Sequence, residues 1–340
     1  MKSENIMKSV IAFLLILASS LYGQTTTKNV PDEIDSLIQV MVKENVVAGM
    51  AVGYAGEEPE QWRRYDRLRL FTSVDTLAIL TNHSSPIIRC YSFQALVDNK
   101  SKNLFPILLK HLLDTARVKT FFGCIMEEEK VGDYFFDALT PESGASNDLL
   151  TLKQRSHIDS ILLFDTRIRL EAKLHLLRQL PVSQKYYSRV REIAMQEHLP
   201  IATLALARYQ NQEDIPFIKK CLRNKDSQYF GIYGVREFPD TAFYISLLNI
   251  FEQEWKNKYY DYPKWRILYQ ALSKYPNPKT LALFERTLAT KNKSRYQYLC
   301  SYLRIALIKY PNIMFSSLLK KIKLNEFYLR KAESEKDIEN

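Results

Sequence analysis

The sequence predicts an all-α protein, an α-α superhelix of stacked helical hairpins preceded by an export signal. Three observations carry this. A seven-residue motif recurs in the second half of the chain, with successive starts 29 to 37 residues apart. Apolar residues around it follow the i, i+3, i+4, i+7 spacing of amphipathic helices. Glycine is scarce, nine in 340 residues, against about 7% in ordinary proteins. Nucleotide-binding α/β folds and β-sandwiches need glycine turns, so the scarcity favours helices joined by short polar or proline turns.

Residues 1–23 read as a secretory signal peptide. Lys2 and Lys8 form a positive n-region, residues 10–17 an apolar core, and Ala18, Ser19, Ser20 and Gly23 a cleavage zone. That core is too short for a membrane span, which needs about 20 apolar residues. No later segment is apolar enough, so the expectation is a periplasmic or secreted protein with no transmembrane segment after cleavage. Heavy use of Lys, Asn, Ile and Tyr points to a bacterial source. An apolar content of 46% is that of a globular chain. The formal charge of +10 suits anionic surfaces or glycans; nucleic acid is not an expected partner of an exported chain.

Residues 24–115 open the mature protein. An amphipathic helix over 31–44 (Ile34, Leu37, Ile38, Met41) serves as an N-terminal cap. Residues 46–60 hold Gly49, Gly53 and Gly56 but no phosphate-binding pattern; close helix packing and a turn are expected. A charged aromatic helix follows, with Trp62, Tyr65 and four arginines. Residues 116–147 break the helical pattern: 118–125 is β-prone, 127–129 is three glutamates, and 134–136 is aromatic. A β-hairpin or irregular insertion is expected, ending in a loop over 140–147.

The motif fills residues 148–326. Residues 271–277 read Ala-Leu-Ser-Lys-Tyr-Pro-Asn and 306–312 read Ala-Leu-Ile-Lys-Tyr-Pro-Asn. Residues 205–211 (Ala-Leu-Ala-Arg-Tyr-Gln-Asn) and 234–240 (Gly-Val-Arg-Glu-Phe-Pro-Asp) keep the scheme, and weaker copies begin at Leu176 and Ala95. The small residue lets a neighbouring helix approach, and the aromatic fills the inter-helix corner. Proline then stops one helix while Asn or Asp caps the next. A lone hairpin cannot bury the apolar stripes this creates, and each buried Leu or Phe contributes about 1.5–3 kcal/mol. Stacking follows.

Residues 86–96, Pro-Ile-Ile-Arg-Cys-Tyr-Ser-Phe-Gln-Ala-Leu, resemble the first helix of a HEAT repeat in Pro86, Ile88-Arg89, Ser92 and Ala95-Leu96. The resemblance covers residues 73–115 and 169–323 in degenerate form. Most later units lack the arginine, so HEAT and tetratricopeptide-like packing both stay open. The resemblance implies a curved scaffold that binds other macromolecules.

No catalytic, metal or cofactor signature is present. His83, His111, His157, His175 and His198 stand in no ligand spacing, and neither GxSxG nor SxxK occurs. Cys90, Cys124, Cys221 and Cys300 form no CxxC pair; buried free thiols are expected, although an exported chain permits disulfides. Two surface features stand out. Cations cluster near the ends of predicted second helices: Lys219, Lys220 and Arg223; Lys291 and Lys293; Lys320 and Lys321. They form either a basic edge or a complement to the helix dipoles. Aromatics and cations mix over 254–265, where Tyr259, Tyr260, Tyr262 and Trp265 offer either a stacking surface or inter-repeat packing. The function expected is a protein- or peptide-binding scaffold without catalysis. The alternatives are a binder of envelope glycan or another anionic polymer, and an enzyme without a recognisable motif. Residues 327–340 form a charged tail, which is expected to fray from Lys331 to Asn340.

Overall fold

A computed structural model describes residues 30–139, 149–257, 259 and 261–335. The predicted signal peptide, the loop at 140–147, Tyr260 and the last five residues lie outside that set. The protein is mostly helical: eighteen α-helices and one three-stranded sheet occur among the described residues. The chain divides after Ser156 into two compact units.

The first unit is wrapped around one helix. Its elements are α1 (Val30–Glu44), β1 (Val47–Val52), α2 (Glu60–Phe71), α3 (Val74–Leu80), α4 (Pro86–Asp98), α5 (Leu104–His111), β2 (Arg117–Gly123), β3 (Ile125–Lys130) and α6 (Val131–Asp137). α4 packs against every other helix of the unit and against β1 and β2. It is accordingly apolar all round rather than on one stripe, burying Ile87, Ile88, Cys90, Tyr91, Phe93, Leu96 and Val97. Phe93 stacks on Phe135 of α6 with centroids 4.0 Å apart. Arg89 ties the start of α4 to the end of α5, donating to the His83 carbonyl at 2.9 Å and pairing with Asp114 at 3.0 Å.

The mostly helical chain agrees with the all-α expectation, and a small three-stranded sheet is added to the first unit. The 116–147 segment does form a hairpin: β2 and β3 pair antiparallel, from Arg117 opposite Lys130 to Phe122 opposite Ile125. The aromatic stretch after it is helical, as α6. Residues 46–60, expected as helix packing and a turn, instead supply β1, which pairs parallel with β2 (Val47 opposite Thr120). The turn is there, with Gly53 and Gly56 in the left-handed region. Gly49 lets the Phe122 ring lie across the strand, since a Cβ there would fall 2.7 Å from Phe122 Cδ1. The Tyr91 hydroxyl takes the Ala48 N–H at 2.7 Å, anchoring β1 to α4. The hairpin is thus built into the first unit and is no appendage.

The remaining helices are α7 (Leu152–Phe164), α8 (Ala172–Gln179), α9 (Gln184–Met195), α10 (Ala202–Ala207), α11 (Ile215–Arg223), α12 (Gln228–Glu237), α13 (Tyr244–Lys256), α14 (Tyr262–Ser273), α15 (Pro278–Leu288), α16 (Lys293–Lys309), α17 (Ser316–Lys321) and α18 (Glu326–Glu335). From α8 on, the even-numbered helices pack successively on one another. The odd-numbered helices form a second row outside them: α11 meets α13, α15 meets α17, and an Arg286–Glu252 ion pair at 2.7 Å joins α15 to α13. The even row is the core. α14 buries Trp265, Ile267, Leu268, Tyr269, Ala271 and Leu272, and α16 buries Leu299, Cys300, Leu303, Ile305, Ala306 and Leu307.

The motif residues sit at the corners between rows. Asn211, Asp240, Asn277 and Asn312 each accept a backbone N–H from the start of the next helix, a cap that contributes about 1 kcal/mol. Tyr209 donates its hydroxyl proton to the Ser183 carbonyl at 3.0 Å, and Tyr275 donates to the Asp240 carbonyl at 2.7 Å. Each aromatic therefore ties its own corner to the one before. At Gly234 the motif's small residue permits close approach, because a Cβ there would meet Ala207 Cβ at 3.3 Å.

Residues 327–335 of the charged tail are helical. They belong to α18, which packs on α16 and buries Ala332. Among the described residues, no helix is long and apolar enough to cross a membrane.

Candidate functional site

Two grooves flank α11, which presents Lys220 to one and Lys219 with Arg223 to the other. Pro216 sits in the first turn of α11, where its missing N–H has no helical partner to lose. Ile218 and Leu222 fix its inner face in the core. The cations then project outward from the last two turns.

The first groove, between α9 and α11, encloses about 720 Å³. Its apolar lining includes Met195, Leu199, Pro216 and Phe217; its charged lining includes Arg191, Glu213, Lys220 and Asp226. Arg191 is held by buried Asp214 (2.9 Å), which also accepts from the Tyr187 hydroxyl (3.0 Å). This bond keeps the Arg191 guanidinium pKa above its ordinary value. Burial, and then Asp214, raise that of the Tyr187 phenol. Behind the groove, Glu197 receives Lys173 at 2.7 Å and also Arg189. Burial works against the Glu197 carboxylate, but those two cations prevail and hold its pKa below the usual value. His198 adopts a left-handed φ of 54°, which turns the chain from α9 into the groove wall.

The second groove, between α11 and α13, encloses about 430 Å³. Among the described residues, Lys219 and Arg223 are its only charged lining. Gln228, Ser246, Asn249 and Gln253 supply amides and a hydroxyl, and Leu222, Ala242, Ile245 and Ile250 line the rest. Gln228 is held in place by donating to the Leu222 carbonyl at 3.0 Å. Among the described residues no carboxylate lines the groove, and neither Lys219 nor Arg223 makes an ion pair.

The other predicted residues do not gather there. Lys320 and Lys321 lie in the last turn of α17, and Lys321 approaches Glu285 at 4.0 Å. Lys291 falls between helices, and Lys293 opens α16 rather than closing a second helix; a helix start does not favour a cation. In the aromatic segment, Trp265 is fully buried, edge-on to Phe251 with centroids 5.1 Å apart, so it supports the core and offers no surface. Tyr262 stacks on Tyr298 at 4.3 Å. Tyr259 is 86% exposed. Trp255 carries two guanidinium groups over its ring, Arg286 at 4.5 Å and Arg295 at 4.4 Å.

The four cysteines are free thiols, with Cys90, Cys221 and Cys300 buried and Cys124 exposed at the hairpin turn. Burial raises the pKa of the Cys300 thiol to about 12. Glu127, Glu128 and Glu129 alternate across the two faces of β3 and do not converge. Comparison with family models, with curated proteins and with solved structures finds no match.

Groove residues outside α11 escape sequence reasoning. Asn249, Gln253 and Ser246 read as an ordinary solvated helix face, and nothing local marks Lys173, Arg189 and Glu197 as a buried network. The one usable signal was the cation cluster at the end of α11.

Proposed function

We propose that this is an exported scaffold, a HEAT-like solenoid in its C-terminal half, that holds an acidic polypeptide segment along α11 without catalysing a reaction. The observation that carries this reading is the groove between α11 and α13, with two cations and no carboxylate among its described lining residues, and amide side chains that pair with a peptide backbone. The adjoining groove adds an apolar floor with Phe217 and Leu199 for neighbouring side chains. The recurring motif and the four equivalent corner caps support the solenoid reading; residues 1–23 support export.

The cations and hydrogen-bonding groups also favour a second reading, an anionic envelope glycan in the same groove. Burial of Trp265 and stacking of Tyr262 remove most of the aromatic platform such a glycan would use.

One titration separates the two. A fluorescent glutamate-rich peptide and an oligouronate are each titrated into the purified protein by anisotropy at two salt concentrations. The scaffold reading expects salt-sensitive peptide binding that is lost in Lys219→Glu/Arg223→Glu, with Lys219 half-buried and Arg223 exposed, and an unchanged thermal melt shows that the double variant keeps its fold. Peptide binding unchanged by the double variant refutes it. Binding of the oligouronate alone transfers the groove to the second reading.

A further inference from the structure

We infer that the last corner of the array, at Pro311, Asn312 and Ile313, is a docking seat for a tyrosine-bearing segment of a partner protein. The inference rests on how the earlier corners are filled and is independent of the grooves beside α11. At two of them the arrangement is the same. Tyr209 donates to the carbonyl of Ser183, the residue that starts the preceding second-row helix, and its ring lies 5.2 Å from Tyr187, four residues further on. Tyr275 donates to the carbonyl of Asp240, and its ring lies 5.2 Å from Tyr244, again four residues on. Each seat is thus a helix-capping carbonyl beside an apolar shelf, filled by the corner tyrosine of the following unit.

Asn312 is the equivalent capping residue of the last corner. Its carbonyl accepts the Phe315 N–H at 3.0 Å, as that of Asp240 accepts the Phe243 N–H at 3.1 Å. The Asp240 carbonyl uses its second lone pair for Tyr275. Beside Asn312 lies an open, mainly apolar cleft of about 320 Å³, lined by Leu307, Ile313, Phe315, Ser316 and Leu319. Ser316 stands four residues after the cap, where Tyr187 and Tyr244 stand in the earlier seats. No described side chain fills the cleft. α18 closes only the inner row, through Ala332 on α16. Ile313 is 89% exposed at the rim. The two filled seats define the occupant: an aromatic ring to cover the shelf, with a hydroxyl to reach the Asn312 carbonyl.

The test uses a peptide copying residues 272–280, Leu-Ser-Lys-Tyr-Pro-Asn-Pro-Lys-Thr, titrated into methyl-labelled full-length protein by NMR. Saturable shifts are expected at Leu307, Ile313 and Leu319. The Tyr275→Phe peptide should bind about fivefold more weakly, the loss of one hydrogen bond, and the Tyr275→Ala peptide should not bind. Ile313→Glu in the protein should abolish the shifts while leaving the thermal melt unchanged. Shifts elsewhere, equal binding of the alanine peptide, or normal binding by Ile313→Glu each overturn the proposal. Loss of binding in Lys219→Glu/Arg223→Glu also overturns it, since the peptide would then be using the α11 grooves. Sedimentation showing a dimer that Ile313→Glu dissolves would make a second copy the occupant and overturn the assignment to a foreign partner.

Discussion

Replacing Glu129 by glutamine should stabilise the first unit above neutral pH and leave it nearly unchanged below pH 5. Glu129 lies on β3 and takes a hydrogen bond from Thr120 of β2. It faces Asp133 and Asp137 of α6, Glu127 of its own strand, and Cys90 of α4. Lys130, the nearest cation on β3, is directed to Asp133 at 4.0 Å. Burial, followed by the Asp137 charge, pushes the Glu129 carboxyl up to about 7 from an ordinary 4.5. The folded state therefore binds this proton more tightly than the unfolded chain. Its contribution is fully present below about pH 4.5 and is lost as pH rises through 7. At about 1.4 kcal/mol per pH unit, full burial would give about 3 kcal/mol. The side chain is partly exposed, and solvent screening reduces this to about 1–2 kcal/mol. The assay is amide hydrogen exchange of the β3 and α6 segments from pH 5 to 8, in wild type and Glu129→Gln. Protection in the wild type should fall with pH, and the variant should be flat. The paired carboxylates Asp114 and Glu197 have lowered values, so they titrate below this window. A flat wild-type profile, or an identical slope in the variant, would refute the reasoning.

Three further outcomes follow from the second unit. Gly231→Ala should cost about 1–3 kcal/mol in urea unfolding, because its Cβ would lie 3.0 Å from the Leu222 backbone nitrogen and 3.1 Å from the Cys221 carbonyl carbon. Gly234→Ala, whose Cβ would meet the Ala207 methyl at 3.3 Å and the Thr203 carbonyl oxygen at 3.5 Å, should be milder. Tyr275→Phe should lose about 1 kcal/mol with its bond to the Asp240 carbonyl, read as a lower urea midpoint at unchanged slope. Glu197→Gln should cost about 3 kcal/mol or more, since it strands Lys173 in the interior and leaves Arg189 with Glu192 as its remaining carboxylate; Lys173→Met combined with Glu197→Gln should recover part of that loss.

Several elements were legible because their causes are local. Asn277 accepts from Lys279 and Thr280, and the same Asx cap at Asn211, Asp240 and Asn312 is written within three residues of sequence. Pro86 opens α4 and Pro278 opens α15 for the same short-range reason, a fixed φ and no N–H to satisfy. The 3.6-residue period then placed the helices, and the β-prone run before the glutamates placed the hairpin. What the sequence by itself determined was a helix-rich chain with capped corners and a cation cluster on α11. The tertiary structure alone decided the rest. β1 finds its partner Thr120 more than seventy residues away, and a six-residue run with no local partner carries no pairing signal. Trp265 and Tyr259 stand six positions apart with similar chemistry, yet one is sealed among Phe251 and Tyr269 while the other is exposed. Lys219 and Lys220 are adjacent in sequence, but the 100° turn of a helix sends them into different grooves. Burial, charge partners and groove walls come from distant residues, and only packing brings those together.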